Sequence, residues 1–405
     1  MQNTVGTNSS MELTVHRAPI QLEVRGPVAE PTGPRTRCGY LVPEAYGCYL
    51  AALGEQGAVA SGKLLHFAAD LVCSGGLDLW IRGVYDYAFT HIGLANPRIF
   101  VYLRDRVTEL EKRAGVLPQE AFYAHPDVQS GIAEAVLVLQ LCPRRMRMSW
   151  PRIGEDTKRE GWIRGVAGSP ETRATRVVWS SEADSTTLYL VGNELCKAIQ
   201  DGATERALFW AKWCLEEDSR LRKATKGSGL SSKDRGSGAA QGKARRDIGL
   251  WIAALLEEVY KELASKGLVR MNEEFHELMR LYSGSEARMP ARLRRDCLGL
   301  MILICAEVPR WKVPAAASLV ADPVRLSRAV GQGVSFFHEV LAYPALSAAA
   351  QLKSSMTRFT RKPKEGSKED VKTKKGAALE EHFDEYDAAL DAYLARSATG
   401  PVRKL

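Results

Sequence analysis

Three patterns in this chain carry residue types that could do chemistry. Residues Gly57 to Lys63 read G-A-V-A-S-G-K, the G-x-x-x-x-G-K spacing in which backbone N–H groups and a lysine cradle phosphates. That chemistry also needs a Ser or Thr after the lysine to hold magnesium, and a buried strand in front. Here Leu64 follows, and EAYGCYLAALGEQ (44–56) reads as helix. Ser61 is therefore expected to cap the helix that follows. Glu273 and His276 have the E-x-x-H spacing of a di-iron bundle, which needs two copies, and Leu379 stands where the copy before His382 would need its Glu. His276–Glu277 opens H-E-x-x-H but meets Arg280 at the last position, so this stretch reads as a solvated helix face. The remaining histidines are scattered. The third pattern is Arg144, Arg145, Arg147 and Arg152 around Trp150. Arginine forks match phosphate and a tryptophan can stack on an unpaired base, so this cluster is a candidate nucleic-acid contact. The competing reading is a polar loop whose tryptophan caps the core. Trp210 and Trp213, three apart on a helix, read as core.

The charge is unevenly spread. Residues 220–246 hold nine Lys/Arg against Asp234, and residues 353–375 hold nine against Glu365, Glu369 and Asp370. These segments carry +8 and +6, which against a net charge of +8 leaves the remainder of the chain at −6. Both are Gly/Ser/Lys-rich and lack apolar periodicity, so they read as flexible loops dispensable for folding. They read as solvated linkers or as electrostatic contacts with nucleic acid, with attraction to a membrane surface the lesser alternative because neither segment shows an amphipathic helix. The candidate contacts are Lys223, Lys226, Lys233, Arg235, Lys243, Arg245 and Arg246 in the first segment and Arg358, Arg361, Lys362 and Lys364 in the second.

The elements that must position these residues are helices. In LLHFAADLV, Leu64, Leu65, Ala68, Leu71 and Val72 form one stripe before Gly75–Gly76. Trp80, Ile81, Val84 and Ala88 continue the pattern. Asn96 and Pro97 read as cap and first position of a helix with Phe100, Leu103, Val107 and Leu110 inward, ending at Gly115. Residues 130–141 are apolar almost all round and should be buried. Further helices are expected at 188–200, 204–223, 248–265, 271–282, 290–307 and 324–342, with a terminal acidic helix near 380–397. Strand patterns are confined to MELTVHR, IQLEVRG and VVWSS (177–181). The expected fold is all-α, a multi-helix bundle or irregular α-solenoid of up to two lobes. Its divisions are an extended arm (1–42), a helical lobe (43–142), an Arg/Trp-rich connector (143–187), a second lobe (188–345, with the basic loop at 224–245), and a basic linker with the terminal helix (346–405). A loose echo joins LCPRRMRMSWPR (141–152) to CAEVPRWKVPAA (305–316).

Eight cysteines without a C-x-x-C pair suggest free thiols in a reducing compartment, and no secretory leader or apolar span of about 20 residues is visible. No catalytic residue, cofactor, metal site or small-molecule substrate is indicated.

Several blocks resemble an uncharacterised α-helical family of nucleocytoplasmic large DNA viruses: SGKLLHFAADLVCSG (61–75), NPRIFVYL (96–103), LVLQLCPRR (137–145), ERALFWAKWCLEED (205–218), VYKELASKGLVRMNEEF (259–275) and EVPRWKVPAA (307–316). The resemblance implies a viral context, with host cytoplasm, nucleus, viral factory or virion as the compartment, and no residue roles. Together with the charge pattern it suggests a non-catalytic protein that associates with DNA or RNA in replication, transcription or packaging. The alternative is a virion scaffold acting through viral proteins or self-association.

Overall fold

The computed structural model describes residues 33–346 apart from 146–147, 159–160, 226–228, 234, 236–247, 269–271, 285–290 and 308–318. Expectations for the two N-terminal strands, the second basic segment, the terminal helix and most of the 305–316 echo lie outside these residues.

The chain is all-α. Helices α1 (Val42–Gly54), α2 (Ala58–Cys73) and α3 (Leu77–Tyr87) come first. A π-helical turn (Ala88–Ile92) and a 3-10 turn (Gly93–Ala95) extend α3 and lead to α4 (Arg98–Val116), α5 (Gln119–Ala124) and α6 (Pro126–Leu141). After the connector, which holds the short α7 (Trp162–Val166) and α8 (Arg173–Val178), come α9 (Thr186–Gln200), α10 (Thr204–Ala224), α11 (Ile248–Ser265), α12 (Asn272–Gly284), α13 (Ala291–Glu307) and α14 (Pro323–Leu341). Among the described residues the single β-type pairing is an isolated bridge between Arg35 and Leu41.

Three local expectations are corrected. VVWSS is not a strand: Val177 and Val178 end α8, whose first turn is capped by the Thr172 hydroxyl accepting from the Thr175 N–H. Ser61 is not an N-cap. Helix α2 starts at Ala58 behind Gly57 (φ 104°), and the Ser61 hydroxyl donates to Gln140 Oε1 at 2.7 Å. The G-x-x-x-x-G-K stretch is thus helical and cannot wrap a phosphate as a loop. Helix α4 begins at Arg98 rather than Pro97, although the Ile99 N–H still bonds the Asn96 carbonyl.

The stripes read from periodicity are the core. Leu64, Leu65, Ala68, Leu71 and Val72 of α2, and Phe100, Leu103, Val107 and Leu110 of α4, are all buried, as are Cys297, Leu300, Met301, Ile304 and Cys305 of α13. Each large side chain so buried contributes roughly 1.5–3 kcal/mol. The last helix, α14, lies across α2 and α6 in the N-terminal group, while α9 to α13 pack among themselves. That crossing is close: a Cβ on Gly333 would stand 2.9 Å from Ala133 Cβ and 3.1 Å from Leu65 Cδ2. The C-terminal end of α14 is held by Arg37, a buried guanidinium that donates to the Leu341 and Tyr343 carbonyls and to Glu120. Its backbone N–H bonds the Ser74 hydroxyl, and the Cys38 N–H bonds Asp70 Oδ1. Residues 36–38 are therefore docked on the fold.

Candidate nucleic-acid interface

The Arg/Trp cluster begins where α6 ends. Helix α6 stops at Leu141, and the next residues must pair their polar groups without a ladder. Arg144 does this for two helices at once. Its guanidinium donates to the carbonyls of Gly54 (2.7 Å) and Leu53 (3.2 Å) at the end of α1 and to Gln140 (3.0 Å) in α6, and it lies over the Tyr87 ring. Gln140 completes the junction by donating to the Ala52 and Glu55 carbonyls. Arg144 is a helix-end clamp, with its donors turned inward.

Arg145 is paired as well. Its fork meets both carboxylate oxygens of Glu307 at 3.0 and 3.2 Å, and its backbone N–H bonds the His91 carbonyl. Arg145 and Glu307 belong to the two sequence stretches that echo each other, and the structure sets them side by side. Trp150 is half-buried and packs against α13. A Cβ on Gly299 would overlap Met148 and Trp150, so glycine is what lets the connector lie this close. The Trp150 indole N–H points to Asp296 Oδ1 at 3.4 Å. Arg152 is exposed beside Pro151, Arg206 and Phe209. Arg147 lies outside the described residues. The cluster does not form one converging cationic surface among the described residues: Arg144 and the tryptophan are turned to the fold, Arg145 is exposed but paired with Glu307, and Arg152 faces solvent.

The connector's other tryptophans are packed too. Trp162 sits among Phe209, Trp210 and Trp213 with ring centroids 5.7 to 6.3 Å apart, and Trp179 donates to the Ser185 carbonyl. Adjacent polar residues of α9 fix the connector backbone. Glu194 accepts from the N–H groups of Gly168 and Ser169, and Asn193 accepts from Thr172.

The first basic loop departs furthest from expectation. It is not a free linker. Residues 229–233 and 235 dock on the connector and on α10 through two buried carboxylates. Asp218 of α10 accepts from the Leu230 N–H at 2.8 Å and from Arg222 Nε at 2.6 Å. Asp184 accepts from the Lys233 N–H (2.6 Å), the Ser180 N–H (2.9 Å) and both terminal nitrogens of Arg235 (3.0 and 2.5 Å). Arg235 also donates to the Val178 carbonyl that ends α8. The Asp184 side chain is fully buried and that of Arg235 is 12% exposed. Burial would push the Asp184 carboxyl up, but the hydrogen bonds from Arg235 and from the Lys233 and Ser180 amides outweigh it and hold it below its ordinary value. Leu230 adds a buried apolar contact, and Ser231 bridges to Ala183 and Ser185. Arg235 is therefore a structural residue, while Lys223 and Lys233 on the same segment are exposed. Lys223 borders a cleft with Glu216, Glu217 and Arg220, so its surroundings are of mixed charge. Lys226, Lys243, Arg245, Arg246, Arg358, Arg361, Lys362 and Lys364 lie outside the described residues.

Sequence reasoning missed Asp184, Asp218 and Glu307, the acids that these basic residues find. One signal existed for Glu307: an acid in the last turn of a helix opposes the helix dipole and so calls for a cationic partner. Asp218 offered the i,i+4 spacing to Arg222 but no sign of its bond to the Leu230 amide, and Asp184 gave none, since its partners are backbone amides and an arginine 51 positions away.

Among the described residues no three His, Cys, Asp or Glu side chains gather as a metal ion would require, and no helix is long and apolar enough to cross a membrane. The cysteines are free thiols, and burial pushes those of Cys142 and Cys196 up to about 11, away from nucleophilic use. Comparison with protein-family models, curated proteins and solved structures found no match to this chain.

Proposed function

We propose that this protein is a non-catalytic helical body that associates with nucleic acid through its basic segments, in the replication, transcription or genome packaging of a large DNA virus. The observation that carries the reading is charge segregation: +8 and +6 on two short segments against −6 on everything else. Such segments attract a polyanion, while the acidic body opposes non-specific collapse onto it. The Asp184 and Asp218 anchors add to this support. They fix the middle of the first segment before any partner arrives, which lowers the ordering entropy that binding must overcome.

The test neutralises the segment and spares the anchor. Lys226, Lys233, Lys243, Arg245 and Arg246 are replaced together by Gln, and Arg235 is kept. Filter binding to single- and double-stranded DNA and to RNA at 50 mM salt should show at least a tenfold loss of affinity, with the melting temperature unchanged. An unaltered chain that binds none of these nucleic acids at 50 mM salt would overturn the reading. Its presence in purified particles would then place it in a scaffold role through protein contacts.

A further inference from the structure

The π-helical turn opens a cleft that no part of the nucleic-acid reading uses so far. Inserting a residue into a helix widens the turn and pushes backbone outward, and such turns recur at binding sites. Here Ala88–Ile92 bulges, Gly93 reverses the chain at φ 45°, and the connector closes over it through the Arg145 N–H bond to the His91 carbonyl. A Cβ on Gly93 would stand 3.2 Å from Leu300, so glycine keeps the bulge seated on α13. The result is a cleft of about 250 Å³ between the π turn, the start of α10 and the end of α13.

Its chemistry is divided. Phe89, Leu208, Leu300 and Leu303 form an apolar floor, each under 9% exposed. The wall at the opening is the bidentate Arg145–Glu307 pair, whose side chains are 46% and 18% exposed, with the His91 ring tilted against Tyr87. Arg145 and Glu307 set opposite charges side by side at the opening, and the Glu307 carboxylate disfavours a phosphate inside. A bidentate guanidinium–carboxylate pair sets N–H donors next to carboxylate acceptors in one plane. The ligand that fits is a flat, uncharged ring system whose edge carries an acceptor beside a donor. A nucleobase has that edge and two apolar faces. The volume is enough for one base.

We propose that this cleft binds one unpaired nucleobase, with Arg145 and Glu307 meeting its hydrogen-bonding edge and the leucine floor covering its face. The inference rests on the nucleic-acid reading for the source of the base, and its test separates the two. Titration calorimetry of the full chain with adenosine, guanosine, cytidine and uridine should show one site per chain. Glu307→Gln should weaken binding about tenfold, the effect of losing one charged hydrogen bond. Ser149→Trp, an exposed position at the cleft mouth, should block it with the fold intact by circular dichroism. If no nucleoside binds at millimolar concentration, or if both variants bind as the parent does, the inference is overturned. An oligonucleotide bound with steep salt dependence alongside inert nucleosides would remove the cleft and leave the function reading. Nucleosides that bind a chain indifferent to oligonucleotides would do the reverse.

Discussion

Arg144 shows how a residue chosen for one chemistry can perform another. In sequence it heads a run of arginines beside a tryptophan, the composition of a phosphate contact. In the fold its donors satisfy carbonyls at the ends of two helices, groups that would otherwise be left without partners. Arg144→Ala should cost about 2 kcal/mol in urea unfolding, since hydrogen bonds from a charged donor are lost. Nucleic-acid affinity, measured where the variant is folded, should be unchanged. A stable variant with weakened binding would reverse the assignment. Asp184 makes a second residue-scale case, this one tied to pH. Its carboxyl is depressed in the fold, so its contribution is complete above the unfolded-state value near 4 and disappears as the pH falls through the lower folded value. Asp184→Asn should cost roughly 3–5 kcal/mol at pH 7, because it leaves Arg235 without its buried counter-charge. Melting scans from pH 7 to pH 2 should show the parent's advantage over the variant shrinking below about pH 4. An advantage that stays constant across that range would mean Asp184 is not ionised in the fold.

At the scale of elements, what was legible in the sequence was whatever depends on near neighbours. Apolar stripes at 3.6-residue spacing found α2, α3 and α4 because burying one face requires that spacing and nothing else, and the all-round apolar run at 130–141 found α6. Distant partners were illegible. Val177 and Val178 suggest a strand, yet Asn193 and Glu194 of α9 hold the chain beneath them and the Thr172 cap starts a helix. The loop at 229–235 has one buried apolar residue and no period, and it is held by carboxylates that take its backbone amides. Replacing residues 229–235 with a Gly/Ser linker should therefore lower the melting temperature by several degrees, where a free linker would show no change. Helix α14 offers an independent check of the crossing with α2 and α6. Gly333→Leu inserts a side chain where even a Cβ is crowded, and overpacking of that kind costs about 1–3 kcal/mol. Urea unfolding at wild-type stability would show that α14 does not sit there.

For the whole molecule the governing feature is a mildly acidic helical body that concentrates positive charge on two segments. The fold explains why the concentration matters. Several of its described arginines hold the fold together: Arg37 at the end of α14, Arg144 at α1, Arg145 with Glu307, and Arg235 with Asp184. Among the described residues, exposed cations such as Arg152, Lys223 and Lys233 point to solvent, whereas Arg220, Arg222 and Arg235 of the first basic segment pair with Glu217, Asp218 and Asp184. This division was half visible beforehand, since charge counts need no structure. The internal commitments of Arg37, Arg144, Arg145 and Arg235 could not be read, because each pairs residues two or more helices apart or joins a side chain to a backbone group. The most direct test of the central claim is the salt dependence of single-stranded DNA and RNA binding by the intact chain. If the segments engage six to ten phosphates, the association constant should fall by roughly 300-fold to 10⁴-fold between 50 and 200 mM salt, by the single-strand slope of about 0.7 per phosphate. Binding that is absent at 50 mM, or that hardly changes over this range, would contradict it.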